Sequence, residues 1–161
     1  MTRAIRMGIL AFLLSLGACD NQRIQELEEG VATEADVVAR FGQPENVWDS
    51  PEGRVFEYNR QPAGQKNYMI TIGPDGKMAA LRQVLGPRYF AQVQPGMAME
   101  DLRKLLGKPA KVTPFKLRNE TEWDWRWQDE HGAAMLFTVV LNGDQKVVRS
   151  GSAVDPATLK S

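Results

Sequence analysis

Apolar residues recur along this chain in two registers. At Met99, Leu102, Leu105 and Leu106 they fall three or four apart, which predicts a helix with one apolar stripe. Val37, Val38 and Phe41 form a narrower stripe of the same kind, with Thr33 placed to cap it and Asp36 three residues on. Elsewhere the period is two. Residues 46–49, 54–60, 67–73 and 77–85 read as strands, and so do 111–117, 121–128, 133–141 and 145–151. "GPDGK" between the third and fourth strands predicts a hairpin turn with Gly76 left-handed, and Asn142-Gly143 predicts the corresponding turn near the end.

These elements come twice. Asp36/Asp101, Gly42/Gly107 and Pro44/Pro109 match at an offset of 65, and Lys77/Lys146 follow corresponding turns at an offset of 69. The second copy has therefore gained four residues, most simply placed in "PFKLRNE". A repeat of this length is two copies of one supersecondary unit. Gly107 is placed as a left-handed helix stop, and Pro109 forbids continuation. Both helices are short and need a sheet to lie on. The predicted fold class is α+β: two tandem repeats, 24–87 and 88–161. Each is a short helix or helix pair packed on a three- or four-stranded antiparallel sheet, with 85–90 as the junction.

The N-terminus has a different character. Arg3 and Arg6 precede an apolar stretch from Gly8 to Leu16 and then small residues before Cys19, the only cysteine. That order is the signature of a secretory signal, and the run is too short to span a bilayer. Leu16-Gly17-Ala18-Cys19 resembles the bacterial lipobox. It implies a signal peptide at 1–18, diacylation of Cys19, and a lipidated tether at 19–23. A plain signal peptide with an incidental cysteine, or an uncleaved anchor, are the alternatives. One acyl chain anchors only marginally, whereas the several chains of a bacterial lipoprotein hold stably. The expected location is periplasm-facing and lipid-anchored. Asp20, directly after the cysteine, points to the inner membrane by the rule of enteric bacteria.

Gly96-Met97, Leu102, Leu105-Leu106-Gly107 and Pro109, followed by Trp123/Trp125/Trp127 and Lys146-Val147, resemble the SmpA/OmlA (BamE-like) lipoprotein domain. The resemblance implies an accessory or scaffold role in outer-membrane protein assembly, with a β-barrel assembly complex as partner and the outer membrane as location. Position 98 is Ala where the family usually has Thr, so the second helix lacks a side-chain cap, at a cost of about 1 kcal/mol. The doubling is also similar in fold to the β-lactamase inhibitor protein. That implies the alternative of an inhibitor or regulator gripping an envelope enzyme with paired sheets.

Charge changes the picture little: 20 basic and 20 acidic residues cancel. Residues 24–87 carry 6 basic against 10 acidic, a net of −4, and residues 88–161 carry 11 against 9, a net of +2. No nucleic-acid partner or small-molecule substrate is expected. His131, the only histidine, sits at a predicted hairpin tip with no second His or Cys to complete a metal site. No acid/base pair or phosphate loop is recognisable, so neither catalysis, metal nor cofactor is expected. Two candidate partner surfaces stand out. Trp123, Trp125 and Trp127 alternate and share one strand face, which is either core beneath the Met99/Leu102/Leu106 stripe or an exposed platform. The second is the basic run Lys104, Lys108, Lys111, Lys116 and Arg118, with Phe115 among the charges, suited to an acidic partner or anionic head groups.

Overall fold

In the computed structural model, residues 24 and 26–160 are described; the expected signal peptide at 1–18, Cys19 and the whole of the expected tether at 19–23 lie outside the described residues. Helix α1 (Glu34–Phe41) leads into strands β1 (Asn46–Ser50), β2 (Gly53–Asn59), β3 (Asn67–Ile72) and β4 (Met78–Gln83). A short helix α2 (Pro87–Phe90) follows, then α3 (Met99–Leu106) and strands β5 (Lys111–Phe115), β6 (Glu120–Gln128), β7 (Ala134–Asn142) and β8 (Val147–Val154). The strands form two antiparallel meanders, ordered β1-β2-β3-β4 and β5-β6-β7-β8. The protein is thus α+β, with a four-stranded sheet in each repeat.

Both longer helices start in the same way. Thr33 and Asp36 exchange side-chain and backbone hydrogen bonds in a capping box at the head of α1. Ala98 offers α3 no such bond. Each helix nonetheless has its first amide satisfied from the turn of its own sheet. The Glu34 N–H donates to the Gly76 carbonyl at 3.0 Å, and the Met99 N–H to the Gln145 carbonyl at 2.9 Å. Gly76 is left-handed as expected (φ 75°), but in the second copy the residue with positive φ is Gln145 (57°) rather than Gly143.

The helix stops carry the equivalence further. The Tyr58 hydroxyl donates to the Gly42 carbonyl at 2.9 Å, and the Trp125 indole N–H to the Gly107 carbonyl at 3.1 Å. Tyr58 therefore corresponds to Trp125, an offset of 67, and their cross-strand partners Tyr68 and Phe137 correspond at 69. So the four added residues are shared, contrary to the expectation that "PFKLRNE" holds them all. Two enter the β5–β6 connection, which forms a 3-10 turn at Lys116–Arg118, and two lengthen the β6–β7 hairpin. β8 also runs on to Val154, past the Gly151 limit read from the sequence. The junction at 85–90 is in part helical, and Phe90 stacks on Phe137 with centroids 3.9 Å apart.

Two cores result. Val37 and Phe41 of α1 close over Phe56, Tyr58, Tyr68 and Ile70. Leu102 and Leu106 of α3 close over Trp125, Phe137, Val139 and Leu141. The second core also takes in Met69 and the edges of Trp48 and Val55, which belong to the first sheet. The first sheet is therefore covered on both faces, and β2 and β3 are buried at nine of the twelve positions where they pair.

The polar part of that second face receives the end of α3. The Glu57 carboxylate, with no side-chain exposure, accepts from Arg103 Nε and Nη2 at 3.2 and 2.9 Å and from the Lys108 N–H at 2.8 Å. Asn67 donates to the Leu106 and Lys108 carbonyls at 2.9 and 3.1 Å, satisfying groups the helix itself cannot. Gly107 does not adopt the left-handed helical conformation foreseen for it. With φ 77° and ψ −168° it lies in a region that only glycine occupies readily. A Cβ there would stand 2.8 Å from Asn59 Oδ1 and 3.1 Å from Glu57 Oε1, so the glycine also permits close approach of the two repeats.

Candidate partner-binding surface

Alternation along β6 sends Trp123, Trp125 and Trp127 to the helix side of the second sheet. Trp125 is fully buried and Trp127 nearly so, with its ring edge against Phe90 at a centroid distance of 5.1 Å. Both therefore leave the set of surface candidates. An indole pays for burial by filling a large volume and finding a partner for its N–H, which Trp125 does at Gly107. Trp123 is only half-buried. It tilts against Trp125 and lines an open groove of about 440 Å³ with Met99, Glu100 and Arg103.

The basic run is divided by the fold. Lys104 is paired with Glu100 at 2.8 Å along α3, and Lys108 stands 3.9 Å from Glu45 of the first repeat. Arg118 lies over the Phe115 ring at 4.4 Å and near Glu120 and Glu122, at 3.3 and 3.8 Å. The positive charge there is largely met from within the chain. Lys116 is exposed beside Leu117, a leucine left entirely open to solvent at the tip of the turn. Lys111 belongs elsewhere: it sits opposite Asp124 in the β5–β6 register, on the face of the sheet away from the helices. His131 is exposed in the β6–β7 turn, 3.5 Å from the Glu130 carboxylate. Among the described residues no group of three His, Cys, Asp or Glu side chains is placed to hold a metal ion.

That outer face is the part of the surface the sequence reading passed over. By the correspondence above, Asp124, Arg126, Leu136 and Thr138 occupy the places of Glu57, Asn59, Asn67 and Met69. In the first sheet those places are filled by α3. In the second they line or border an open cleft of about 650 Å³, with Lys111 and Ala110 on one side and Pro62, Asp155, Pro156 and Ala157 on the others. The chemistry has changed with the position. Asp124 accepts from the Thr138 hydroxyl at 2.6 Å, and Arg126 Nε donates to Asp155 at 2.9 Å. The Asp155 carboxyl is held below its ordinary value by the Ala157 backbone N–H and by Arg126, against the opposing effect of burial. Gln61 fastens the first repeat beside the cleft, its side chain exchanging bonds with the Arg126 carbonyl and amide at 2.7 and 3.1 Å. The alternation of "EWDWRWQ" already places Asp124 and Arg126 opposite the tryptophans. Nothing local announces that Pro62 and Asp155 wall the same cleft.

No family model and no curated protein matches the chain. Three solved structures are similar to it. One is a candidate osmotically inducible lipoprotein, OsmE, 21% identical over 39% of this chain and 71% of that one, with a TM-score of 0.36. Another is YjgB, a DUF4309 family protein of Bacillus subtilis, 23% identical over 83% and 86% of the two chains, with a TM-score of 0.34. The third is a candidate β-lactamase inhibitor protein of Streptococcus mutans, 8% identical over 86% and 97%, with a TM-score of 0.34. Among the described residues no helix is long and apolar enough to cross a membrane.

Proposed function

We propose that this chain is a lipid-anchored, periplasm-facing lipoprotein that works by protein–protein contact, as an accessory or scaffold in envelope assembly. The outer face of its second sheet is the contact surface. One observation carries the choice of surface: two corresponding sheet faces exist, one filled by a helix end and the other left as an open, walled cleft. The cleft pairs an apolar floor at Leu136 with charged groups of both signs at its rim, the mixture expected of a contact that forms and releases. The anchor rests on Leu16-Gly17-Ala18-Cys19. The BamE-like helix and strand pattern favours the outer membrane and a β-barrel assembly complex as partner, while Asp20 favours the inner membrane. On this reading the protein positions a larger partner and catalyses nothing.

A second reading is supported by the concavity of the cleft between Pro62 of one repeat and the C-terminal turn of the other. A surface of that shape can receive a protruding loop of an envelope enzyme and block it. Purification of the tagged chain from detergent-solubilised envelope separates the two. A β-barrel complex supports the scaffold, and a hydrolase or peptidoglycan enzyme supports the inhibitor. In either case Leu136→Asp should lose the partner with an unchanged melting curve. A partner retained by that variant would exclude the outer face. Cys19→Ser should stay unprocessed and take up no palmitate; normal processing and labelling would refute the anchor.

A further inference from the structure

β8 is the edge strand of the second sheet, and every residue from Val148 to Val154 is exposed. Both ends of this open stretch are defined. At its start, the Val147 N–H donates to the Met97 carbonyl at 2.9 Å and the Val147 carbonyl accepts from the Gly96 N–H at 2.8 Å, so that part of the edge is covered. At its end, the Asp155 N–H turns inward to the Ala134 carbonyl at 3.0 Å. The chain then leads to the cleft beside Ala110 and Lys111, away from the edge. Main-chain groups in an antiparallel strand alternate between its two neighbours. With Asp155 bonded inward to β7, Val154, Ser152 and Ser150 turn their amides and carbonyls outward. An open row of this kind is a template for another strand. The opposite edge of the same sheet, β5, is blunted by Lys111 and by Pro114, which has no N–H to give. The open stretch of β8 has no proline, and its one charge, Arg149, is held by Glu120 of its own sheet.

We propose that this edge pairs with the same edge of a second copy of the chain, antiparallel, about a two-fold axis through Gly151. Gly151 is the midpoint of the open stretch, and the sequence on either side of it matches itself. Val148 comes opposite Val154 of the second copy, Ser150 opposite Ser152, and Arg149 opposite Ala153. The two valines are the exposed large apolar residues of β8, at 39% and 49%, and this register covers each with the other. Arg149 never meets its own copy, and Glu120 of its own sheet holds it at 2.9 and 3.1 Å. Ser150 and Ser152 both turn outward, so they form a hydrogen-bonded pair, and Gly151 meets Gly151 in the closer non-bonded pair. A shift of the axis in either direction drives one end of the strand against the covered residue Val147 or past the last open residue. An isologous contact demands this kind of self-match. The product is one continuous eight-stranded sheet with both Leu136 clefts still open on its outer face.

The register can be tested with a thiol. In the full chain in detergent micelles, with Cys19→Ser removing the native thiol, Gly151→Cys should oxidise to a disulfide-linked dimer. Directly opposed non-bonded strand residues lie within disulfide range, and a Cβ at Gly151 meets no atom within 4 Å. Linkage should be about tenfold or more faster than for Asp144→Cys in the neighbouring turn, because pairing raises the effective concentration. Sedimentation of the Cys19→Ser chain should give a dimer. Ser152→Pro, which removes an outward amide and no bond to β7, should return it to monomer with the melting temperature that the Cys19→Ser chain shows when diluted to monomer. Linkage no faster than at Asp144, or a dimer that survives Ser152→Pro, would overturn the proposal.

Discussion

The indole nitrogen of Trp125 donates to the carbonyl of Gly107, 3.1 Å away, at the point where α3 stops and the second repeat meets the first. One residue thus fills the core beneath α3 and satisfies an acceptor that the helix end would leave open. Trp125→Ala removes both contributions and should cost about 3–5 kcal/mol, enough to unfold much of a small domain. Trp125→Phe keeps most of the ring and loses the bond, and should cost less, about 1–3 kcal/mol for the stranded carbonyl and the smaller side chain. Urea denaturation of the two variants checks the order. An alanine variant that melts with the wild type would remove Trp125 from the core.

Gly42 and Gly107 have the same backbone conformation but different surroundings. Both have positive φ, 85° and 77°, so alanine at either should cost about 1–3 kcal/mol in backbone strain. At Gly42 a Cβ would meet nothing within 4 Å, whereas at Gly107 it would meet Asn59, Asn67 and Glu57. Gly107→Ala should therefore lose at least about 1 kcal/mol more than Gly42→Ala, the net worth of one displaced hydrogen bond. Equal losses in denaturant would mean that the repeats are not held in close contact at this glycine.

Glu57 is a fully buried carboxylate whose charge is met by Arg103 from the other repeat. Arg103→Met leaves that charge uncompensated and should destabilise by about 3–5 kcal/mol. Adding Glu57→Gln removes the orphaned charge and keeps an oxygen for the Lys108 amide. The double variant should then be more stable than Arg103→Met alone. A double-mutant cycle in urea reads this directly, and a cycle with no coupling would show that the pair does not join the repeats.

Asp155 gives the protein an acid-sensitive contact. Its folded-state pKa lies below the ordinary value of 3.8, so the unfolded chain takes up a proton first as the pH falls. The stability it contributes is complete above that ordinary value and is lost as the pH drops through the lowered one. Asp155→Asn should flatten this part of the stability profile and leave stability near neutral pH reduced. A wild-type slope in the variant, measured by thermal melts across acidic pH, would contradict the role given to the Arg126 and Ala157 contacts.

The elements of this fold were legible because their signals are local. A stripe at helical spacing, a Thr-Asp cap, a turn glycine and strict alternation each depend on residues within a few positions of one another. That is why Trp123, Trp125 and Trp127 could be assigned to one face of β6, and Gly107 to a helix stop. The same signals say nothing about which of two similar sheets is covered on its second face. Glu57, Asn59 and Asn67 read as polar positions on a solvated strand face, and so do Asp124 and Arg126.

By itself the sequence determined two copies of a helix-and-meander unit, their order, and the sharing of one strand face by Trp123, Trp125 and Trp127, but not whether the helix lies on that face. Only the tertiary structure decided that the end of α3 reaches back onto the first sheet. There Arg103 and the Lys108 amide give a buried Glu57 its partners, while the matching face around Leu136 stays open. The physical reason is that a buried polar group is stabilised by partners brought from far along the chain. Residues 57 and 103 carry no periodicity that links them, and only the packing of one repeat against the other brings them within 3 Å.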